Sequence, residues 1–152
     1  MNFFVVEVAA RVNSGSRLST TWSTASSNAH GECGGTVAGY AYATPYRPRS
    51  AYRFTIEDSI YIDEAQRGRG IGRALLGALI ARCEAGPWRQ MLAVIADGGR
   101  GGSTSLHRAF GFEPIGTLQS VGFKHGRWID TALLKRPLGE GASVHPAPFA
   151  SR

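Results

Sequence analysis

Arg67-Gly68-Arg69-Gly70-Ile71-Gly72, followed by Leu75, Leu76, Leu79, Ile80 and Cys83, is the stretch on which the fold turns. The five apolar positions share one face of a helix of period 3.6, and Gly86-Pro87 stops that helix. The glycines ahead of it let the backbone turn sharply, so free N–H groups and the positive end of the helix dipole converge on one spot. An anion such as a diphosphate fits there. The dinucleotide fingerprint G-x-G-x-x-G fails in both registers, because Arg73 and Leu75 stand where its third glycine belongs. The phosphate loop of nucleoside triphosphatases fails too, since no Lys-Ser or Lys-Thr follows.

Outward from this helix, strand and helix periods alternate. Phe54 to Ile62 alternates Phe54, Ile56, Ile60 and Ile62 with polar neighbours, and Thr36 to Ala43 is a short apolar run ended by Pro45; both predict strands. Met91 to Ala96 predicts a buried strand. A glycine-rich loop, Asp97 to Gly102, leads into a short helix from Ser103, an N-cap type, to Phe110, with Gly111 as its C′ residue. Ile115 to Lys124 and Trp128 to Arg136 flank a tight turn at His125-Gly126. The fold class is α/β (α+β) around one twisted sheet.

The ends read differently. Phe3 to Val12 suits a strand, but Asn13 to Gly31 is Ser/Thr-rich, has only Leu18 and Trp22 as large apolar residues, and reads as linker or poorly ordered chain. Residues 139–152 carry Pro146 and Pro148 without a pattern and read as a flexible tail. One domain over 32–138 is therefore expected, preceded by an atypical segment, 1–31.

The 152 residues are 43% hydrophobic and 18% charged, and no apolar run approaches the roughly 18 residues of a membrane helix. No membrane partner is expected. Glu7 interrupts the first apolar run and no basic residue precedes it, unlike a secretory signal. Cys33 and Cys83 form neither a disulfide framework nor a metal spacing, so the expected setting is cytoplasmic and metal-free. A net charge of +6 suits an anionic partner, but the arginines are scattered and form no basic run of the kind that binds nucleic acid.

The pattern R-x-x-G-x-G at Arg67 to Gly72 resembles the coenzyme A pyrophosphate loop of the GCN5-related N-acetyltransferases (GNAT). Val37-Ala38-Gly39-Tyr40-Ala41-Tyr42-Ala43, Glu57 to Ile62, Leu106 to Phe112 and Val121 to Asp130 resemble the phosphinothricin acetyltransferase branch, in its order and spacing. The resemblance covers residues 32–138. It implies a mixed, mostly antiparallel sheet flanked by helices, with two central strands splayed around the pantetheine arm of acetyl-CoA. It also implies direct acetyl transfer to the amine of a small amino-acid-like acceptor, of phosphinothricin, methionine sulfone or methionine sulfoximine type, by a protein that can form a homodimer.

Roles follow by position from the same resemblance. Glu57 matches the general base, His107 the place of the acid that protonates the departing thiolate, and His125 a histidine near the acceptor. Ser59, Ile60 and Tyr61 match the strand that pairs with pantetheine, while Arg67, Gly68, Arg69, Gly70, Ile71 and Gly72 match the pyrophosphate loop. Arg47, Arg49 and Arg53, with Tyr46 and Tyr52, border the acceptor; Arg49, Tyr52 and Arg53 are the selected contacts, and a guanidinium suits a carboxylate. Asp58 falls on the other strand face from Glu57 and is a poorer base. Trp128 and Asp130 match a structural pair in the last hairpin. Arg100 stands where relatives carry an asparagine, which alters the expected cofactor contacts. Relatives also carry a longer segment ahead of Thr36 that walls the acceptor, so a truncated or frame-altered chain is the second expectation: an acetyl-CoA-binding remnant with an impaired acceptor site.

Overall fold

The computed structural model describes residues 6–12, 18–24, 36–96 and 101–146. Strands β1 (Val6–Val12), β2 (Leu18–Thr24), β3 (Thr36–Pro45), β4 (Thr55–Ile62), β5 (Gln90–Ala96), β6 (Glu113–Lys124) and β7 (Arg127–Pro137) form one sheet in the order β2-β1-β3-β4-β5-β7-β6. Every neighbouring pair is antiparallel except β4 and β5. Helix α1 (Ile71–Glu84) makes the crossover between those two parallel strands, as such a connection requires. Helix α2 (Gly102–Ala109) links β5 to β6.

Alternation decides what each strand buries. Ile56 and Asp58 of β4 and Ala41 and Ala43 of β3 turn inward, toward Leu75, Leu76, Leu79 and Cys83 of α1. The apolar face read from the sequence is thus the buried face of α1. Leu75, Leu76 and Leu79 are fully shielded, and each contributes about 1.5–3 kcal/mol of burial.

Two differences from the sequence reading have physical causes. β2 lies inside the stretch expected to be linker: its residues pair one to one with β1, from Val6↔Thr24 to Val12↔Leu18. A run with Thr20, Thr21, Trp22 and Thr24 has the β-branched and aromatic content that suits an edge strand, although it shows no apolar period. Helix α2 starts one residue ahead of Ser103, with Gly101 as N-cap and no side-chain cap. At its other end Gly111 has φ +81°, the left-handed C′ geometry expected. Within residues 139–146, Gly141 donates to the Leu138 carbonyl and Glu140 pairs with Arg89 at 2.9 Å.

A β-bulge interrupts β3 where it pairs with β1, next to a close approach of β3 to β4. Ala10 pairs with Gly39 and Arg11 with Val37, leaving Ala38 as the extra residue. The Ala38 carbonyl accepts from Asp63 N–H at 2.9 Å. A Cβ on Gly39 would lie 2.6 Å from the Tyr61 carbonyl oxygen and 3.2 Å from Leu75 Cδ1. Only glycine fits without a backbone shift. Gly39→Ala should therefore lower stability by about 1–3 kcal/mol, read as a lower urea midpoint at unchanged slope. An unchanged midpoint contradicts the close approach.

Candidate active site

The parallel β4–β5 ladder is short. It runs from Thr55↔Gln90 to Asp58↔Ala93 and ends there, while β4 continues to Ile62 and β5 to Ala96 on their outer partners. The strands fork. Which groups face the fork follows from strand parity. Tyr46 N–H donates to the Thr55 carbonyl and Asp63 N–H to Ala38, so odd-numbered residues of β4 direct their backbone groups to β3. Gln90 N–H donates to Phe54, so even-numbered residues of β5 face β4. Beyond the last rung, N–H and C=O of Ile60 and Ile62 therefore face the fork from one side, and Val94 C=O and Ala96 from the other. Ser59 and Tyr61 turn their backbone groups to β3.

At the far end of β4 stands the glycine turn. Asp63 caps a short 3-10 turn by accepting from Ala65 N–H at 2.9 Å, and Gly68 and Gly70 follow with φ of +75° and +77°. Those left-handed conformations are what glycine supplies without strain. Gly70 is the N-cap of α1, and among the described residues no side-chain cap bonds the helix start. Among the described residues a Cβ at Gly68 or Gly70 would meet nothing within 4 Å, whereas at Gly72 it would lie 2.9 Å from Ile62 Cδ1. The turn is thus open outward and tight inward, with the uncapped N-terminus of α1 beside it; Ile71 is buried and Arg69 donates to Gln66. Arg100 lies outside the described residues.

Glu57, Ser59 and Tyr61 share the sheet face opposite α1. Glu57 is half-buried beside Thr44 on β3 and Leu92 on β5. Burial pushes its carboxyl above the usual range and the charge of Asp58 adds to the rise. Farther along, Tyr40, Tyr42 and Tyr61 stack with centroids 5.0–6.4 Å apart. The loop between β3 and β4 sorts the three arginines. Arg47 lies over Tyr46 and Tyr52 at 5.0 and 5.9 Å, and Arg53 lies over Phe54 and donates to the Ser50 carbonyl at 2.8 Å. Among the described residues no hydrogen bond or ion pair holds the Arg49 guanidinium, and it is exposed.

His107 and His125 stand elsewhere. His107 is 3% exposed on α2, with Nε2 at 2.9 Å from Asp58 Oδ2 and Nδ1 at 2.7 Å from the Ser103 carbonyl. Both ring nitrogens are occupied, so this ring reaches a thiolate only by leaving one of those acceptors. Burial pushes its pKa down, but Asp58 and the Ser103 carbonyl outweigh that and raise it above 6.5. His125 has φ +51° in the β6–β7 turn with Gly126 at +72°. Because Ala96 pairs with Thr131, that turn projects past the C-terminal end of β5, at the opposite end of β4 from the 46–54 loop. One chain does not bring it to Glu57. Asp130 Oδ1 accepts from Ser120 N–H at 3.0 Å inside the β6 bulge, and Trp128 packs edge-on against Phe123. The sequence reading missed the Asp58–His107 contact; the signal was Asp58 itself, a carboxylate with the parity of Ile56 and so in need of a buried partner.

The fork is thus a slot in the sheet walled by unpaired backbone groups, with the glycine turn and the start of α1 at its open end. Comparison with known proteins gives the family. Residues 11–112 match the acetyltransferase (GNAT) family model, and the chain belongs to that family. It is 60% identical over 112 residues to the phosphinothricin N-acetyltransferase of Alcaligenes faecalis, covering 74% of this chain and 57% of that protein. It is 41% identical over 104 residues to the L-methionine sulfoximine/L-methionine sulfone acetyltransferase of Pseudomonas aeruginosa, covering 68% and 60%. The solved phosphinothricin acetyltransferase of Sinorhizobium meliloti, in complex with acetyl-CoA, superposes with a TM-score of 0.72 at 55% identity, over 76% of this chain and 62% of that one. The chain spans less than two thirds of the length of each of these relatives.

Carboxyl carbon NMR should place the Glu57 midpoint above 4.5, the ordinary value from which burial raises it. A midpoint at or below 4.5 contradicts the half-buried placement.

Proposed function

We propose that this chain is an acetyl-CoA-dependent N-acetyltransferase that acts on the amine of a small amino-acid-like acceptor. The observation that carries the reading is the fork between β4 and β5, with backbone donors and acceptors on both walls and the uncapped start of α1 at its end. Pantetheine carries amide groups that suit such walls, and the diphosphate suits the N–H groups of Arg67 to Gly72. The names of the relatives support the acceptor class: phosphinothricin, methionine sulfoximine and methionine sulfone are amino acids or amino-acid analogues.

In this reading Glu57 takes the amine proton, directly or through a water, as nitrogen attacks the thioester carbon. Its carboxyl pKa, raised by burial and then by the Asp58 charge, makes it a better base than an ordinary glutamate. The Ile60 N–H faces the fork without a β5 partner, which supports a role for it as donor to the developing oxyanion. Collapse of the tetrahedral intermediate forms the amide and expels the thiolate. Arg49 is the guanidinium left to pair with the acceptor's carboxylate, since stacking occupies Arg47 and a backbone carbonyl holds Arg53. Tyr52 serves by fixing Arg47. A homodimer belongs to the same reading, supported by the edge strand β6, on which Ile115, Leu118, Val121 and Phe123 are exposed. A second copy is also the route by which His125 could approach an acceptor.

Thiol release from acetyl-CoA over a panel of amino-acid analogues tests the function. Wild type should turn over phosphinothricin-like amino acids, and Glu57→Gln should lower turnover about 10²–10⁴-fold with acetyl-CoA affinity little changed. A wild type that binds acetyl-CoA but acetylates nothing points to the remnant reading. An active wild type matched by Glu57→Gln across the pH range excludes Glu57 as the base.

A further inference from the structure

Asp58 and His107 are the one ion pair among the described residues with both side chains buried, at 2% and 4% exposure. Asp58 is also the last residue of β4 that pairs with β5. The contact therefore clamps α2 onto the point where the strands part. Its chemistry is constrained. A carbonyl oxygen only accepts, so Nδ1 must carry a hydrogen to bond Ser103. Nε2 then bonds the Asp58 carboxylate only if it carries a second hydrogen, or if Asp58 Oδ2 carries the shared one. Among the described residues Asp58 Oδ1 has no hydrogen-bond partner. One extra proton, shared by the pair, thus holds the whole contact together.

We propose that Asp58 and His107 are a positioning pair whose shared proton fastens α2 to the root of the β4–β5 fork and so sets the width of the cofactor slot. Among the described residues the surroundings leave that proton little competition. Cys83 faces from α1 with its thiol pushed up to about 12 by burial, hence neutral, and Arg82 and Glu84 flank it. Phe112 meets the His107 ring edge-on at 5.0 Å, and Met91 and Ala93 of β5 and Ala43 of β3 add only apolar surface. Glu57 is the neighbouring acid on β4 itself, on the opposite face. Asp58 and Ser103 raise the folded value for His107 above 6.5 against the effect of burial. The stabilisation is therefore complete below 6.5 and is lost as pH rises through the raised value. Above it, a nitrogen lone pair faces a carboxylate in a dry site.

The inference rests in part on the acetyl-CoA reading, so its test has one arm without cofactor. In the ligand-free full chain, labelled with nitrogen-15, both His107 ring nitrogens should carry hydrogen at pH 6. As the ring titrates above 6.5, the amides of Ile60, Ile62, Val94 and Ala96 should shift with the same midpoint. In Asp58→Asn, whose amide can donate or accept, that coupled step should vanish. Fork amides that stay still while His107 titrates overturn the proposal, and wild type alone decides this if the variant fails to fold. In the second arm, calorimetry at pH 6 and at a pH above the His107 midpoint found in the first arm should show acetyl-CoA affinity falling roughly tenfold more in wild type than in Asp58→Asn, the size of one lost charged hydrogen bond. Equal pH dependence in the two proteins overturns the link to the slot. If acetyl-CoA binds neither protein while the fork amides still follow His107, the cofactor reading fails and the clamp stands.

Discussion

After the Asp58↔Ala93 rung, β4 and β5 stop sharing hydrogen bonds although both strands continue. Unpaired backbone groups in the middle of a sheet are costly unless something else satisfies them, and the strands keep their outer partners, so the gap is held open rather than frayed. The rest of the molecule depends on that gap. The bulge at Ala38 and the close approach at Gly39 bind β4 to β3. The apolar face of α1 anchors β4 from below, and the Asp58–His107 contact ties α2 to the root of the fork. Each is a fastening on one side of that opening.

Parity divides the chemistry between the two faces. Glu57 and Asp58 are adjacent carboxylates, but one faces the exposed tyrosine side and the other the helices, so a single peptide step separates a candidate base from a structural anchor. The two are not independent, because the Asp58 charge helps hold the Glu57 proton.

Much of this was legible in the sequence, for reasons that differ by element. The α1 helix was readable because Leu75, Leu76, Leu79, Ile80 and Cys83 keep one period, and the turn at His125-Gly126 because glycine marks positive φ. β2 was not, because an edge strand of serine and threonine carries no apolar alternation. The face that Glu57 occupies was readable from alternation, while its candidate role came from the family resemblance. The partner of Asp58 was invisible, since 49 residues separate it from His107 and only the packing of α2 on β4 joins them. Sorting Arg47, Arg49 and Arg53 likewise needed the stacking geometry of Tyr46 and Tyr52.

The most direct measurement of the central claim is amide hydrogen exchange along β4, with and without acetyl-CoA. Ser59 and Tyr61, whose N–H groups bond to β3, should exchange slowly in both states. Ile60 and Ile62, whose N–H groups face the fork, should exchange fast in the free chain and slow markedly when acetyl-CoA is added. If Ile60 and Ile62 are already as protected as their neighbours without cofactor, or gain nothing from it, the fork is not the cofactor site and the account built on it is wrong.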